Sequence, residues 1–80
     1  MLEIGKLYVV KTNIGNYWLF KKNANRWITG CSQALRLNDM DCWYSSTYIC
    51  DDSQIEWIKP ANRNHIVIWN RMFNDNVEMV

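Results

Sequence analysis

Metal binding and nucleophilic catalysis would fall first to one histidine, His65, and three cysteines, Cys31, Cys42 and Cys50. A general base needs a partner that orients it within hydrogen-bond reach of its proton. His65 sits instead at the head of an apolar, helix-like run, where a capping or half-buried role is the simpler reading. No Ser-His or Cys-His pairing falls in a recognisable frame. The cysteines show no CxxC pair, and together with His65 they lack the paired spacing of a zinc site. Asp39 and Asp41 resemble a fragment of a calcium loop but lack its glycine and terminal glutamate. No catalytic residue, no metal and no cofactor are therefore expected.

The aromatic residues carry more information. Tyr8, Tyr17, Trp18, Phe20 and Trp27 interleave with Lys6, Lys11, Lys21, Lys22 and Arg26. Aromatic faces beside cations suit a stacked base and its phosphate, each stacked base contributing about 1–3 kcal/mol. The candidate ligand- or partner-binding residues are Tyr17, Trp18, Lys21, Lys22, Arg26 and Trp27. The competing reading is structural: strands of a small β domain fill their core with Trp and Tyr and keep Lys on the outer face.

Composition bounds these readings. Eighty residues form one domain, spanning 1–80, with 49% hydrophobic and 14% aromatic residues. Aromatic side chains bury roughly 150–250 Å² each, so five Trp supply much of a core that is otherwise marginal at this size. The net charge of +1 exerts no global pull toward nucleic acid or membrane. Its distribution is uneven: residues 1–40 carry six Lys or Arg against two acids, and residues 41–80 carry three against six. No apolar run approaches the roughly 18 residues that span a bilayer, and the start has no signal-peptide layout. An odd cysteine count argues against a secreted disulfide scaffold. The expected location is the cytoplasm, with no membrane partner.

The elements that must position these residues read as short strands and one helix. Leu7 to Lys11 and Tyr17 to Lys21 form a hairpin about the turn Asn13-Ile14-Gly15-Asn16. Arg26 to Thr29 begins a third strand, and Cys31 to Leu37 reads equally as its continuation or as a helical turn. Cys42 to Cys50 alternates, placing Trp43, Ser45, Thr47 and Ile49 on one face. Gln54 to Lys59 places Ile55 and Trp57 together and ends at Pro60. Asn62 then caps a helix with Ile66, Trp69 and Phe73 on one stripe, stopped at Asn74-Asp75-Asn76 before a frayed tail. The fold class is α+β, mainly β: a five-stranded antiparallel sheet or an SH3-like barrel with one C-terminal helix. Val67, Ile68 and Met72 widen the helix's apolar arc, marking an interface for a partner or for a homodimer.

The segment Ile58-Lys59-Pro60-Ala61-Asn62-Arg63-Asn64-His65-Ile66-Val67-Ile68-Trp69 resembles the ending of many small proteins encoded by bacteriophages. There a strand closes on a basic residue, Pro and Ala before a capped helix that carries a Trp. Ile4-Gly5-Lys6-Leu7-Tyr8 resembles their first strand. Arg63-Asn64-His65 stands where those proteins usually have Pro-Glu-Glu, so the acidic first turn is missing. The abundance of Asn, Ile, Lys and Tyr agrees with an AT-rich phage or host. The resemblance implies strands followed by a docked helix, and transfers no functional residue. The expected function is a non-catalytic binding protein, a phage accessory or anti-defence factor that blocks or sequesters a host component, most simply a host protein. The alternatives are a binder of nucleotides or single-stranded nucleic acid, and a structural component of a larger particle. Thermal melts with and without chelator or reductant are expected to coincide; a drop of many degrees in either would restore a metal or disulfide to the account.

Overall fold

The computed structural model describes residues 2–23, 33–37, 43–46 and 48–79. Five strands, β1 (Leu7–Thr12), β2 (Tyr17–Lys21), β3 (Ala34–Leu37), β4 (Trp43–Ser46) and β5 (Ile55–Pro60), precede a single α-helix, α1 (Arg63–Phe73). They form one antiparallel sheet in the order β4-β3-β2-β1-β5. Among the described residues β4 and β5 are its edges, so the sheet takes the open form rather than a closed barrel.

The first hairpin forms as its residues dictate. Gly15 adopts φ +90°, a conformation disfavoured for residues with a Cβ. The Thr12 hydroxyl oxygen accepts from the Asn16 amide at 3.0 Å, while Thr12 N–H donates to the Asn16 carbonyl at 2.9 Å. Of the two readings of 31–37, strand wins over Ala34–Leu37, because pairing with β2 supplies partners that a lone helical turn would lack. The expected strand from Arg26 to Thr29 lies outside the described residues.

Both faces of this sheet are covered. On one, Tyr8, Val10, Trp18, Phe20, Ala34, Ile49 and Cys50 form a first core, joined by Ile55 and Ile58. On the other, Leu7, Val9, Leu19 and Leu35 pack with Ala61, Ile66, Trp69 and Val77. Burial on both faces is why Leu7-Tyr8-Val9-Val10 and Trp18-Leu19-Phe20 read as continuous apolar runs.

Two expected face assignments are corrected. In the β1–β5 ladder Trp57 lies opposite Lys11 but Ile55 lies opposite Thr12, leaving Glu56 as an extra residue. This bulge inverts the side-chain parity, so Ile55 joins the first core while Trp57 packs against the second. Of the strand expected from Cys42 to Cys50, β4 covers Trp43–Ser46; Tyr48, Ile49 and Cys50 are not strand, while Cys42 and Thr47 lie outside the described residues. The Ser46 hydroxyl accepts from the Tyr48 amide at 3.2 Å and donates to its carbonyl at 2.8 Å, a local ring that competes with ladder pairing. Ile49 and Cys50 consequently fall onto the first core, away from Trp43.

The helix begins where its cap places it. Asn62 Oδ1 accepts from the His65 amide at 2.9 Å, and His65 Nδ1 accepts from the Asn62 amide at 3.4 Å, a reciprocal capping box. Asn74 ends the helix in the left-handed region at φ 50°. Of the tail expected to fray, Val77 is tied. Asn70 brackets Val77 through bonds of 2.8 and 3.1 Å to its backbone, and Val77 is buried. Asp75 Oδ2 accepts from Trp69 Nε1 at 3.0 Å and from Lys21 Nζ at 2.9 Å.

Trp69 is wholly buried, so Trp69→Ala is expected to cost about 3–5 kcal/mol in chemical denaturation, enough to unfold a marginal domain. Asp75 titrates at about 2, held down first by the Trp69 indole, then by Lys21 and the Asn76 amide. Since its folded pKa lies below the ordinary 3.8, its stabilisation is complete above about pH 4 and is lost as pH falls through about 2. Denaturant midpoints measured down this window should fall more steeply for the wild type than for Asp75→Asn. Parallel curves would show that Asp75 is not the group responsible.

Candidate functional site

The ladders place one row of side chains across all five strands. Trp57 lies opposite Lys11, Lys11 opposite Tyr17, Tyr17 opposite Leu37, and Leu37 opposite Trp43. The bulge at Glu56 fixes the β5 end of this row, because Trp57 reaches its face only in the register that the extra residue sets. Lys59, two residues along β5, returns to the same face.

The row is built from rings and ammonium groups. The Tyr17 and Trp57 rings meet edge to face at 6.1 Å between centroids and 63° between planes. Lys59 Nζ lies 4.5 Å from the Trp57 ring centroid, and Lys11 Nζ lies 5.8 Å from that of Tyr17. Both fall within the range of cation–π attraction. Lys11 also meets Glu56 at 3.3 Å, an exposed pair of small energetic weight. Among the described residues Lys59 has no ion-pair partner. At the β4 end the Trp43 ring contacts His65 at 6.2 Å. Tyr17 is the exposed centre of the row, whereas Trp57 and Trp43 are half-buried against the second core.

The six residues singled out from sequence separate. Tyr17 belongs to the row. Trp18 points to the other face and is buried in the first core, 7% exposed. Its cross-strand neighbour Arg36 lies 5.8 Å from the Trp18 ring centroid and 5.5 Å from that of Tyr44, and donates from Nη2 to Asn16 Oδ1 at 2.9 Å. Among the described residues neither Trp18 Nε1 nor Arg36 Nε, both buried, has a hydrogen-bond acceptor. Lys21 sits four residues from Tyr17, roughly 13 Å along the strand, and is engaged by Asp75. Lys22 is held by its backbone to Lys6 and Gly5. Arg26 and Trp27 lie outside the described residues. On the helix, Val67 and Met72 are exposed, while Ile68 is half-buried against the second core.

Sequence reasoning named Lys11 among the interleaved cations but missed Trp57, Lys59, Leu37 and Trp43. The Trp57-Ile58-Lys59 spacing does put an aromatic and a cation on one strand face. That β5 lies beside β1, and so beside Lys11, is not legible along the chain.

Burial lowers the pKa of His65, favouring the neutral imidazole whose Nδ1 serves as a cap acceptor. Burial, reinforced by Asp52 and Asp51, raises that of the Cys50 thiol. Among the described residues no three His, Cys, Asp or Glu side chains converge as a metal would require. None of the described helices is long and apolar enough to cross a membrane. A groove of about 230 Å³ near the start of β1 has Leu7, Ala61, Ile66 and Val77 in its lining, with Lys6 and Glu78 also contributing.

No protein-family model, no curated protein and no solved structure matches the chain.

Proposed function

We propose that this chain is a non-catalytic binding protein whose contact surface is the Trp57–Lys11–Tyr17–Leu37–Trp43 row. In the phage accessory role implied by the resemblance of its C-terminal segment, it would act by occupying a surface of a host component. The observation that carries this reading is the Tyr17–Trp57 contact at 6.1 Å, flanked by Lys11 and Lys59. Rigid aromatic side chains lose little conformational entropy on contact, and they anchor binding surfaces far beyond their number. The sheet beneath is packed on both faces, which fixes the rings before a partner arrives. Occlusion by such a platform needs no reacting group.

Affinity capture from a host lysate, read for protein and nucleic acid, tests this surface. Tyr17→Ala is expected to reduce capture of the specific partner by roughly thirtyfold, corresponding to an anchor of about 2 kcal/mol. Circular dichroism should show the variant folded, since Tyr17 is 39% exposed. Val67→Ser with Met72→Ser should leave capture unchanged. The opposite pattern would move the contact surface to the helix.

A further inference from the structure

We propose that the partner of this row is single-stranded nucleic acid, with bases stacking on Tyr17 and Trp57 and a phosphate held by Lys59; this inference rests on the binding-surface reading above. The first argument is the identity of the cations. Protein-binding surfaces are enriched in Trp, Tyr and Arg but depleted in Lys. Among the described residues the cations in contact with these rings are both lysines, Lys11 and Lys59. An ammonium group beside an aromatic face matches a ligand that presents a π-surface and a negative charge one bond chain apart, as a nucleotide unit does.

The second argument is placement. Tyr17 and Trp57 stand on β2 and β5, separated only by β1, which contributes Lys11 between them. Aromatic rings on close strands of an antiparallel sheet provide successive stacking platforms for unpaired bases. A duplex, with its bases already stacked, gains nothing from such rings. Lys59 Nζ covers the Trp57 ring at 4.5 Å. A base entering over that ring displaces the ammonium, which the flexible lysine stem allows, and the charge moves onto the phosphate of the same strand. Lys11 is shared with Glu56, so Lys59 is the freer of the two.

The third argument is steric and electrostatic selection. Glu56 is in contact with Lys11, and its side chain is half exposed. Its carboxylate repels any anionic partner, a phosphate included, so a partner that binds here must draw affinity from the rings as well as from the ammonium groups. A strand with bases gains from both ring and ammonium. Charge alone would not select this site, and the protein's near-neutral balance supplies no general attraction for polyanions.

The test is fluorescence anisotropy of a labelled oligothymidylate with the full chain, compared with free thymidine monophosphate as competitor and with duplex DNA. The oligomer should bind with a salt slope of roughly −1.4 for two lysines, a sevenfold loss between about 50 and 200 mM salt. Lys59→Gln should flatten that loss to about threefold. Tyr17→Ala should weaken binding by roughly 5- to 150-fold, the loss of one stacked base, and Tyr17→Phe should retain it. Duplex should bind more weakly than the single strand. Failure of the oligomer to bind, while Tyr17→Ala still abolishes capture of a protein, would overturn the nucleic-acid assignment and leave the binding surface standing. If neither oligomer binding nor capture responds to Tyr17→Ala, both fall. A monophosphate that competes as well as the oligomer would replace the strand by a free nucleotide and overturn the proposal as stated.

Discussion

The carboxylate of Asp75 is the fixed point on which the packing turns. Trp69 is the largest side chain buried completely among the described residues, and burying an indole leaves its N–H in need of an acceptor. Asp75 Oδ2 supplies it at 3.0 Å, and the same oxygen receives Lys21 from the end of β2 at 2.9 Å. An orphaned N–H in that position would cost about 1–3 kcal/mol, a large share of the stability of so small a domain. The geometry depends in turn on Asn74, whose left-handed backbone turns the chain back beneath the helix, with Asp75 N–H bonded to the Asn70 carbonyl at 3.0 Å. Helix, sheet and tail thus meet at one oxygen atom. Removing Asp75 leaves the Trp69 indole N–H without its acceptor, and removing Lys21 takes away the cation that the carboxylate pairs with.

With that junction in place, the sheet can be apolar on both sides. Helix α1 covers one face, and the turn carrying Ile49 and Cys50 contributes cover to the other. Large side chains still reach the surface, among them Tyr17, Tyr44, Tyr48, Val67 and Met72. Tyr17 and the partly covered Trp57 gain their positions from pairing rather than from any loop, so their separation is set by the strand ladder. The bulge at Glu56 is the device that makes this possible. Without the extra residue, either Ile55 would leave the first core or Trp57 would leave the row. It also roughens the β5 edge, which carries Lys59 and ends on Pro60, and so discourages pairing with a further strand.

Local signals made part of this legible in sequence. The helix was readable because Asn62, Ile66, Trp69 and Phe73 satisfy cap and period together, and each of those requirements is local. The turn at Asn13 to Asn16 was readable for the same reason. The face of Trp18 was not, because a strand buried on both sides has no alternation to betray its orientation. Ala34-Leu35-Arg36-Leu37 suits helix and strand alike, and only pairing with β2 decides between them. Of the candidate surface, Tyr17 was found from its hairpin. Trp57 and Lys59 became its neighbours through the β1–β5 register, a non-local fact. The continuation of Cys42–Cys50 as one strand failed at Ser46, whose hydroxyl offered the backbone a competing set of bonds.

The order β4-β3-β2-β1-β5 has a kinetic consequence. β1 lies between β2, its immediate successor, and β5, whose Pro60 pairs with Tyr8. A nascent chain can close the first hairpin and add β3 and β4 early, but β1 keeps an open edge until residues 55–60 leave the ribosome. The second core waits longer still, since Ile66, Trp69 and Val77 arrive last. Throughout that interval Leu7, Val9 and Leu19 remain uncovered on one face, a state that favours association with other unfinished chains. Loop closure over most of residues 7–77 must precede the final contacts, so folding is expected to be slow for a domain of this size and to finish only after Val77 has left the ribosome.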